Sequence, residues 1–193
     1  MARLRSNTVR IIGGTWRSRL IRFPDAAGLR PTPDRVRETL FNWLGQDLTG
    51  MTCLDLFAGS GALGFEASSR GAAEVVMVER SALVLRALKE NARKLGAAKL
   101  AFVHGDALEF MRNVRSRFDV VFVDPPYHLY LQSEVLALLS GLLTEGGRVY
   151  VESDAAFDPP PGWSILKHGR AGNVHFHLLG KSPDDKSGVS RNV

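Results

Sequence analysis

The sequence predicts an α/β protein in which a mostly parallel sheet is covered by helices on both faces. From residue 51 onward, apolar runs rich in β-branched residues alternate with stretches of helical spacing. This alternation is typical of consecutive right-handed βαβ units. A glycine-rich turn follows the first apolar run, and a polar tetrapeptide follows the fourth. The chain of 193 residues is long enough for one full domain with a sizeable core.

The N-terminal part of the chain precedes this alternation. Residues 9–23 predict two short strands around Gly13-Gly14, which together form a hairpin. A helix is predicted next, with Thr32 as its N-cap, Pro33 in its first turn and Gly45 at its end.

The core is predicted to follow this helix and to end in a second hairpin. Strands are expected at 52–57, 74–79, 99–104, 118–123 and 147–152, and helices near 62–70, 82–95, 106–113 and 131–141. Two further strands, near 163–168 and 173–179, flank a Gly-Arg-Ala-Gly segment, which predicts an antiparallel hairpin. We therefore interpret residues 1–45 as an extension of the domain, 46–180 as its core, and 181–193 as a disordered polar tail.

The composition excludes several classes of protein. Hydrophobic residues make up 45% and charged residues 23%, as in ordinary globular proteins. The single cysteine, Cys53, lies in an apolar run, so we interpret it as a buried small hydrophobe and exclude disulfides and thiol metal clusters. The N-terminus lacks an apolar signal core, and no apolar run approaches ~18 residues. We therefore expect a cytoplasmic protein that does not enter a membrane.

The positive charge is concentrated at the N-terminus. The net charge is +5, and the first 22 residues contain six arginines and no acidic residue, whereas the first lysine is Lys89. Arginine offers a planar fork to phosphate and also stacks on bases, so this segment favours contact with nucleic acid. A solvated basic tail is the alternative interpretation. A membrane surface is less favoured, because no long amphipathic helix accompanies the arginines.

The glycine-rich turn has glycines at 59, 61 and 64, between a strand and a helix. This pattern alone fits NAD, FAD, S-adenosylmethionine or a purely structural turn. Asp55, four residues before Gly59, suits the positively charged amino group of a methionine moiety and would repel a pyrophosphate. Glu79 ends the next strand, where a carboxylate can accept hydrogen bonds from the ribose hydroxyls of any adenosine ligand.

Asp106 follows the third core strand in the segment His104-Gly-Asp106. Its carboxylate is placed to accept a hydrogen bond from an adenine amino group. Asp106 also lies at the start of a predicted helix, so a role as the N-cap of that helix is the alternative to contact with adenine.

The tetrapeptide Asp124-Pro125-Pro126-Tyr127 follows the apolar run 118–123 and therefore lies at the carboxyl end of a buried strand. Ligands and chemistry collect at that edge of open α/β sheets. A carboxylate and a carbonyl held by a stiff Pro-Pro can accept two hydrogen bonds from a planar amine, and the aromatic ring can stack on a base. The combination suits methylation of an exocyclic amino group of a nucleobase. A structural Pro-Pro turn is the alternative.

Three other patterns predict no chemistry. Asp158-Pro159-Pro160-Pro161 has no buried strand before it and no aromatic residue after it, so a loop is predicted. His175 and His177 share a strand face but have no further ligand at a suitable spacing, so no metal site is expected. Ser60 is flanked by glycines at the wrong spacing for a nucleophile elbow.

Over most of residues 9–179 the chain resembles the bacterial small-subunit rRNA guanine-N2 methyltransferases, the RsmD family. The matching segments are Arg10-Ile-Ile-Gly-Gly-Thr-Trp-Arg, Leu29-Arg-Pro-Thr-Pro-Asp-Arg-Val-Arg-Glu-Thr-Leu-Phe-Asn-Trp-Leu44, Asp55-Leu-Phe-Ala-Gly-Ser-Gly-Ala-Leu-Gly64, Phe122-Val-Asp-Pro-Pro-Tyr127 and Tyr150-Val-Glu-Ser153. Many amino-methyltransferases share the glycine loop and the Asp-Pro-Pro-Tyr. The arginine-rich opening and the Arg-Pro-Thr segment are much more specific to this family.

The resemblance implies a Rossmann-like class I methyltransferase fold with a seven-stranded sheet, mostly parallel, whose last strand is antiparallel. It implies transfer of a methyl group from S-adenosylmethionine, giving S-adenosylhomocysteine, to N2 of a guanine of 16S rRNA, at position 966 in the usual numbering. The implied partner is the small ribosomal subunit, assembled or assembling, in contact with ribosomal proteins as well as RNA. Nothing in the sequence demands a dimer, so a monomer is expected.

The site residues carried by this resemblance fall into three groups. Residues expected to hold the cofactor are Arg30, Thr32, Asp55, Phe57, Gly59, Ser60, Gly61, Glu79, Arg80, Asp106, Ala107 and Asp124. Residues expected to act on the guanine are Asp124, Pro125 and Tyr127. Residues expected to contact RNA are Arg10, Trp16, Arg17, Arg19, Arg22 and Arg35.

Three other functions stay open at this point. The tetrapeptide does not separate guanine N2 from adenine N6 or cytosine N4, because all three are planar amines, on DNA or on RNA. A dinucleotide-dependent oxidoreductase is compatible with the literal glycine pattern, although Asp55 and the lack of an evident hydride-transfer acid argue against it. A non-catalytic RNA-binding module is disfavoured by the intact tetrapeptide.

Overall fold

A computed structural model of the protein describes residues 6–26, 29–125, 131–155 and 157–182. Its elements, in chain order, are β1 (Ser6–Arg10), β2 (Leu20–Pro24), α1 (Asp34–Leu44), β3 (Thr52–Asp55), α2 (Ala62–Ser69), β4 (Glu74–Glu79), α3 (Ala82–Leu95), β5 (Leu100–His104), α4 (Ala107–Asn113), β6 (Phe118–Val123), α5 (Gln132–Leu139), β7 (Leu143–Ser153), β8 (Trp163–Ala171) and β9 (Val174–Lys181). The predicted alternation of strands and helices is confirmed, with most boundaries within two residues.

Within the described residues, the last seven strands form one sheet in the order β5-β4-β3-β6-β7-β9-β8. The strands from β3 to β7 pair in parallel, and β9 runs antiparallel to both of its neighbours. The predicted antiparallel last strand and terminal hairpin are confirmed. From β3 the chain continues to β4 and β5 on one side of the sheet and then crosses to β6 and β7 on the other side of β3. The strand order therefore reverses between β3 and β6. A crevice for ligands forms at the carboxyl ends of strands at such a switch point.

Both faces of the sheet are buried, which explains the nearly continuous apolar runs of its strands. One core cluster contains Cys53 and residues of α1, α2 and α3, and the other contains Leu54 and residues of α4 and α5. Successive residues of a strand thus enter opposite clusters, as the period of two requires. Cys53 is buried as predicted, and burial, followed by the charges of Asp119 and Asp55, raises the pKa of its thiol to about 12.

The N-terminal hairpin is confirmed as the antiparallel pair β1–β2, but Gly13-Gly14 are not its tip. The strands are joined by residues 11–19, which pack against the end of α2. The Thr15 N–H donates to the Ser69 carbonyl (2.8 Å), and the Ser69 hydroxyl donates to the Gly13 carbonyl (2.6 Å). Gly14 has φ +73°, and an added Cβ would lie 1.9 Å from the Ser69 carbonyl oxygen. The glycines are therefore needed for close approach to a helix end.

Helix α1 ends at Gly45 as predicted, with that residue in the left-handed region at φ 96°. The prediction that Thr32 caps the helix is wrong. The N-cap is Pro33, in an extended conformation, and no side chain caps the first turn. Thr32 lies one residue earlier, because a proline at the cap position moves the helix start to Asp34, and its side chain turns toward the carboxyl edge of the sheet instead.

A buried ion network joins the hairpin to the helices. The Arg37 side chain is 0% exposed and donates to the Thr32 carbonyl (3.1 Å), the Arg10 carbonyl (2.8 Å) and Glu66 (3.0 Å). Glu66 is equally buried and also accepts from Arg70 and from the Ile12 backbone N–H. Helical spacing alone gave no reason to place these charges inside the protein. The network fixes the hairpin and the segment before α1 to α2.

Three smaller points complete the fold. Residues 158–161 lie outside any helix or strand, so the loop predicted for the second Asp-Pro-Pro is confirmed. No helix among the described residues is long and apolar enough to span a membrane. Of the tail predicted to be disordered, Lys181 is the last residue of β9, and the Ser182 N–H donates to the Gly162 carbonyl (2.9 Å). Residues 183–193 lie outside the described part of the chain, and the domain division stays a prediction.

Candidate active site

A cavity of ≈ 890 Å³ opens at the carboxyl ends of the parallel strands, at the switch point between β3 and β6. The residues predicted for cofactor and catalysis that line it are Arg30, Thr32, Asp55, Phe57, Gly59, Ser60, Glu79, Arg80, Asp106, Ala107, Asp124 and Pro125. Residues from all parts of the chain between 26 and 174 meet there, because parallel strands end at the same edge. The cavity gathers nearly the whole predicted site in one place.

Among the described residues, Gly61 is the predicted cofactor residue that does not line the cavity. Gly61 is the N-cap of α2, with φ +82°, and an added Cβ would lie 2.7 Å from both the Leu88 and the Phe65 side chains. Its role in the structure is to let the loop turn into the helix against a packed core. Tyr127, like Pro126, lies outside the described residues.

The glycine loop is held by the two carboxylates that the sequence singled out. The Gly64 N–H donates to Asp55 Oδ2 (3.0 Å), and the Gly59 N–H donates to Glu79 Oε2 (3.0 Å). The other oxygen of Glu79 accepts from the Ser81 N–H (2.7 Å). These bonds fix the orientation of both carboxylates in the cavity wall without removing their capacity to accept further bonds, since a carboxylate can accept about four.

Asp106 is the N-cap of α4. Its Oδ1 accepts from the backbone N–H groups of Leu108 (2.9 Å) and Glu109 (3.1 Å). The capping role left open by the sequence is thus observed. The side chain also lines the cavity, so a contact with an adenine amino group stays a prediction.

Asp55 is a buried carboxylate whose ionisation is unfavourable. Burial raises the pKa of Asp55 from 3.8 to about 7; the Gly64 N–H opposes this shift and the charge of Glu79 adds to it. The carboxylate therefore suits a ligand that brings a positive charge, because an ammonium group beside it would favour the charged form. A ligand phosphate in the same place would be repelled.

Replacing Asp55 with asparagine should stabilise the ligand-free protein while abolishing cofactor binding. The folded-state pKa lies above the unfolded value, so ionisation of Asp55 lowers the stability of the wild type as pH rises from about 4 to about 7. The stability gain of the variant should be near zero at pH 4 and reach at most about 4 kcal/mol above pH 7. Urea denaturation at several pH values measures it. A variant less stable than the wild type at pH 8 would contradict the account.

Asp124 directly follows β6, lines the same cavity and is also difficult to ionise. Burial, followed by the charges of Glu152 and Asp55, raises the pKa of Asp124 well above its ordinary range, while a hydrogen bond from the Thr32 hydroxyl lowers it. Thr32 thus contacts the catalytic candidate rather than capping a helix. Six carboxylates line this cavity, which disfavours a bound pyrophosphate and favours a cationic or hydrogen-bond-donating ligand.

Two acidic residues of the lining, Glu152 and Asp154, were not assigned a role from the sequence. Glu152 lies near the end of β7, next to β6, and its carboxylate accepts from the Tyr150 hydroxyl (2.8 Å). The signal was present in the segment Tyr150-Val-Glu-Ser153, but only the strand order shows that this segment ends beside Asp124.

The residues predicted to contact RNA lie outside the cavity. Arg17, Arg19, Arg22 and Arg35 are exposed, and Trp16 is half-buried against the core. Arg10 forms an ion pair with Asp34 (3.1 Å) at the surface. The buried Asn91 of α3 bonds both the backbone N–H and the carbonyl of Arg22, which holds the hairpin against the core. The arginines are thus presented on a firmly attached element.

No group of His, Cys, Asp or Glu side chains in the described ranges has the arrangement of a metal site. His175 and His177 lie on one face of β9, where the buried His177 packs against Phe157. Burial, followed by the neighbouring histidines, lowers the pKa of His177. The pair belongs to the packing of the sheet face.

The strand order and the carboxylate-lined cavity at the switch point together define a Rossmann-like methyltransferase. The chain is similar to a solved structure described as a putative methyltransferase yhhF from Escherichia coli, with a TM-score of 0.81, 41% identity, and coverage of 91% of this chain and 98% of that one. This likeness removes the dinucleotide-dependent oxidoreductase left open by the glycine pattern.

The family follows from the sequence relatives. Proteins named ribosomal RNA small subunit methyltransferase D are 41% identical over 187 residues in Escherichia coli K12, covering 94% of each chain, and 40% identical over 178 residues in Haemophilus influenzae, covering 88% of this chain and 92% of that one. The family model described as conserved hypothetical protein 95 matches residues 9–180. The chain belongs to this family, the RsmD family of the sequence analysis.

Proposed function

We propose that this protein transfers a methyl group from S-adenosylmethionine to the exocyclic N2 amine of a guanine in 16S rRNA, at position 966, within the small ribosomal subunit. The observation that carries the proposal is Asp124, which directly follows β6 and lines the same cavity as Asp55 and Glu79. The names of the relatives support rRNA of the small subunit as the substrate class. We also propose that the protein acts in the cytoplasm as a monomer and that it contacts ribosomal proteins as well as RNA.

The cavity suits the proposed cofactor. Asp55 would accept from the amino group of the methionine moiety, Glu79 from the ribose hydroxyls, and Asp106 from the adenine amine. Arg30 is exposed at the rim, where it would meet the methionine carboxylate. When bound, S-adenosylmethionine supplies an electrophilic methyl group on a sulfonium and leaves as S-adenosylhomocysteine.

The exocyclic amine of the target base is a poor nucleophile that the protein has to activate. The lone pair of an aromatic amine is delocalised into the ring, so the nitrogen is planar and weakly nucleophilic. Hydrogen bonds from its N–H groups to the Asp124 carboxylate and the Pro125 carbonyl would favour a pyramidal nitrogen with an exposed lone pair. The nitrogen gains a methyl group and loses one proton, and the raised pKa of Asp124 makes this carboxylate a competent proton acceptor. Positioning and electrostatics then supply most of the rate, without a covalent enzyme intermediate.

Tyr127 would stack on the target base, which has to be unpaired or flipped out of a helix to enter the cavity. Burial of the neighbouring Pro125 in the cavity wall supports a target site at this edge.

The arginine-rich hairpin would bind the RNA backbone. Replacing Arg17 and Arg19 together with alanine should weaken binding to small subunits and reduce the slope of log K against log salt by about one for each phosphate that the variant no longer neutralises. Both side chains are exposed and neither lines the cavity, so cofactor affinity should not change. Arg115→Ala is the matched control, because this exposed arginine lies between α4 and β6, and α4 packs on the opposite face of the sheet from the hairpin. An unchanged salt slope in the double variant would exclude the hairpin as a phosphate-binding element.

Transfer of labelled methyl groups to small subunits from cells lacking the endogenous enzyme, followed by nucleoside analysis, tests the proposed function directly. N2-methylguanosine is the expected product. Label in N6-methyladenosine or N4-methylcytidine would keep the methyltransferase and replace the base with the alternative left open by the tetrapeptide. The absence of label on subunits, free rRNA and DNA would reject a nucleic-acid substrate.

A further inference from the structure

We propose that Glu152 is the residue that distinguishes guanine from the other amino-bearing bases, by accepting a hydrogen bond from N1–H of the target guanine while Asp124 accepts from its N2 amine. This inference rests on the proposed function and deepens it, because the Asp-Pro-Pro-Tyr segment alone does not select a base.

The strand register places the two carboxylates side by side. In the parallel pair β6–β7, Val123 lies opposite Val151, so Asp124 and Glu152 are the next residues of neighbouring strands. Both line the cavity, and they are close enough for the charge of Glu152 to contribute to the raised pKa of Asp124. The backbones of neighbouring strands lie about 5 Å apart, so the two carboxylates can accept from two neighbouring donor groups on one edge of a base.

Glu152 is held in a defined position. Glu152 is 2% exposed. Its Oε1 accepts from the Tyr150 hydroxyl, and its backbone carbonyl accepts from the Gln132 side chain (3.2 Å). A buried carboxylate is costly to a fold unless hydrogen bonds or a ligand compensate for lost hydration. A carboxylate can accept about four hydrogen bonds, so the contacts that fix the position of Glu152 are compatible with a substrate donor.

The hydrogen-bonding edges of the bases supply the discrimination. In guanine the atom beside the exocyclic amine is N1, which carries a hydrogen, so the base presents adjacent donors. In adenine the ring nitrogen beside N6, and in cytosine the one beside N4, is an acceptor with a lone pair. A carboxylate at that position attracts the guanine edge and repels the other two. Sites that hydrogen-bond a particular substrate group in this way reject analogues lacking it strongly, because a buried polar group is then left unpaired.

The test uses small subunits reconstituted with either guanine or 2-aminopurine at the target position. The analogue keeps the N2 amine but replaces N1–H with a lone pair. The wild-type protein should prefer guanine by on the order of 10²-fold or more in kcat/KM. This comparison needs no variant, and equal rates on the two substrates would overturn the proposal.

Glu152→Gln then identifies the residue responsible. The glutamine amide can donate to the analogue N1, so the preference should fall to roughly tenfold or less, with a loss of activity on guanine and a gain on 2-aminopurine relative to the wild type. An equal loss on both substrates, with cofactor binding and melting temperature intact, would show that Glu152 only positions Asp124 and would also overturn the proposal. A wild-type protein that methylates neither substrate refutes the proposed function itself, which is a distinguishable outcome.

Discussion

Replacing Asp124 with alanine is expected to slow methyl transfer by on the order of 10²–10³-fold in kcat while leaving the protein folded and able to bind its cofactor. In the proposed mechanism, the variant removes the preorganised acceptor that orients the amine and takes up its proton. The fold should not suffer, because the pKa of Asp124 is raised by burial and by its acidic neighbours, so its ionisation opposes folding at neutral pH. Single-turnover transfer to small subunits measures the chemical step.

The graded control is Asp124→Asn. Asparagine keeps one oxygen that accepts a hydrogen bond but is a poor proton acceptor, so its rate should fall between those of the wild type and the alanine variant. Titration calorimetry with S-adenosylhomocysteine and a melting curve establish that both variants bind and fold. A fully active alanine variant would remove Asp124 from the mechanism.

Replacing Arg37 with alanine is expected to lower the free energy of unfolding by about 3 kcal/mol, because removing one partner of a buried ion pair leaves the buried carboxylate of Glu66 with less compensation. The Arg37 guanidinium contacts Glu66, Asp34 and two backbone carbonyls while fully buried. Among the described residues, Glu66 would keep Arg70 and the Ile12 N–H as partners. Urea denaturation followed by circular dichroism gives the change, provided that the m value stays constant.

Two matched variants sharpen this experiment. Arg35→Ala changes an exposed arginine on the same helix and should stay within about 0.5 kcal/mol of the wild type. Arg37→Lys keeps the charge but loses the planar fork, so it should recover only part of the stability. If Arg37→Ala unfolds within roughly 1 kcal/mol of the wild type, the buried network does not stabilise the attachment of the hairpin to α2.

Local pattern and strand direction account for the parts of this molecule that could be predicted. Apolar runs bounded by turn residues located every core strand, and the rule that parallel strands share a carboxyl edge brought Asp55, Glu79 and Asp124 together on sequence grounds alone. The terminal hairpin was visible in the glycines at 169 and 172. These features depend on neighbours within a few residues, or on a topology with few alternatives.

The features that were missed depend on contacts between distant residues. Arg37 and Glu66 are 29 residues apart, and both are buried and bonded to the backbone of residues 10–12. Thr32 was assigned to a helix cap from its immediate neighbours, whereas its hydroxyl reaches Asp124, 92 positions later. Glu152 lay in a segment already noted for its resemblance, but its role required knowledge that β7 is the neighbour of β6.

In the proposed function, binding of the methyl donor beside the buried Asp55 would link the supply of this donor to the amount of folded protein. Its raised pKa means that the ligand-free protein carries an unfavourable charge at neutral pH, and a ligand that places an ammonium group there relieves it. A ligand that binds only the folded state adds RT ln(1 + [L]/Kd) to its stability, or about 2.7 kcal/mol at a hundredfold excess over Kd. In a cell depleted of methyl donor, this enzyme would be the more exposed to unfolding and proteolysis, so its abundance would follow the metabolic state that its own reaction depends on.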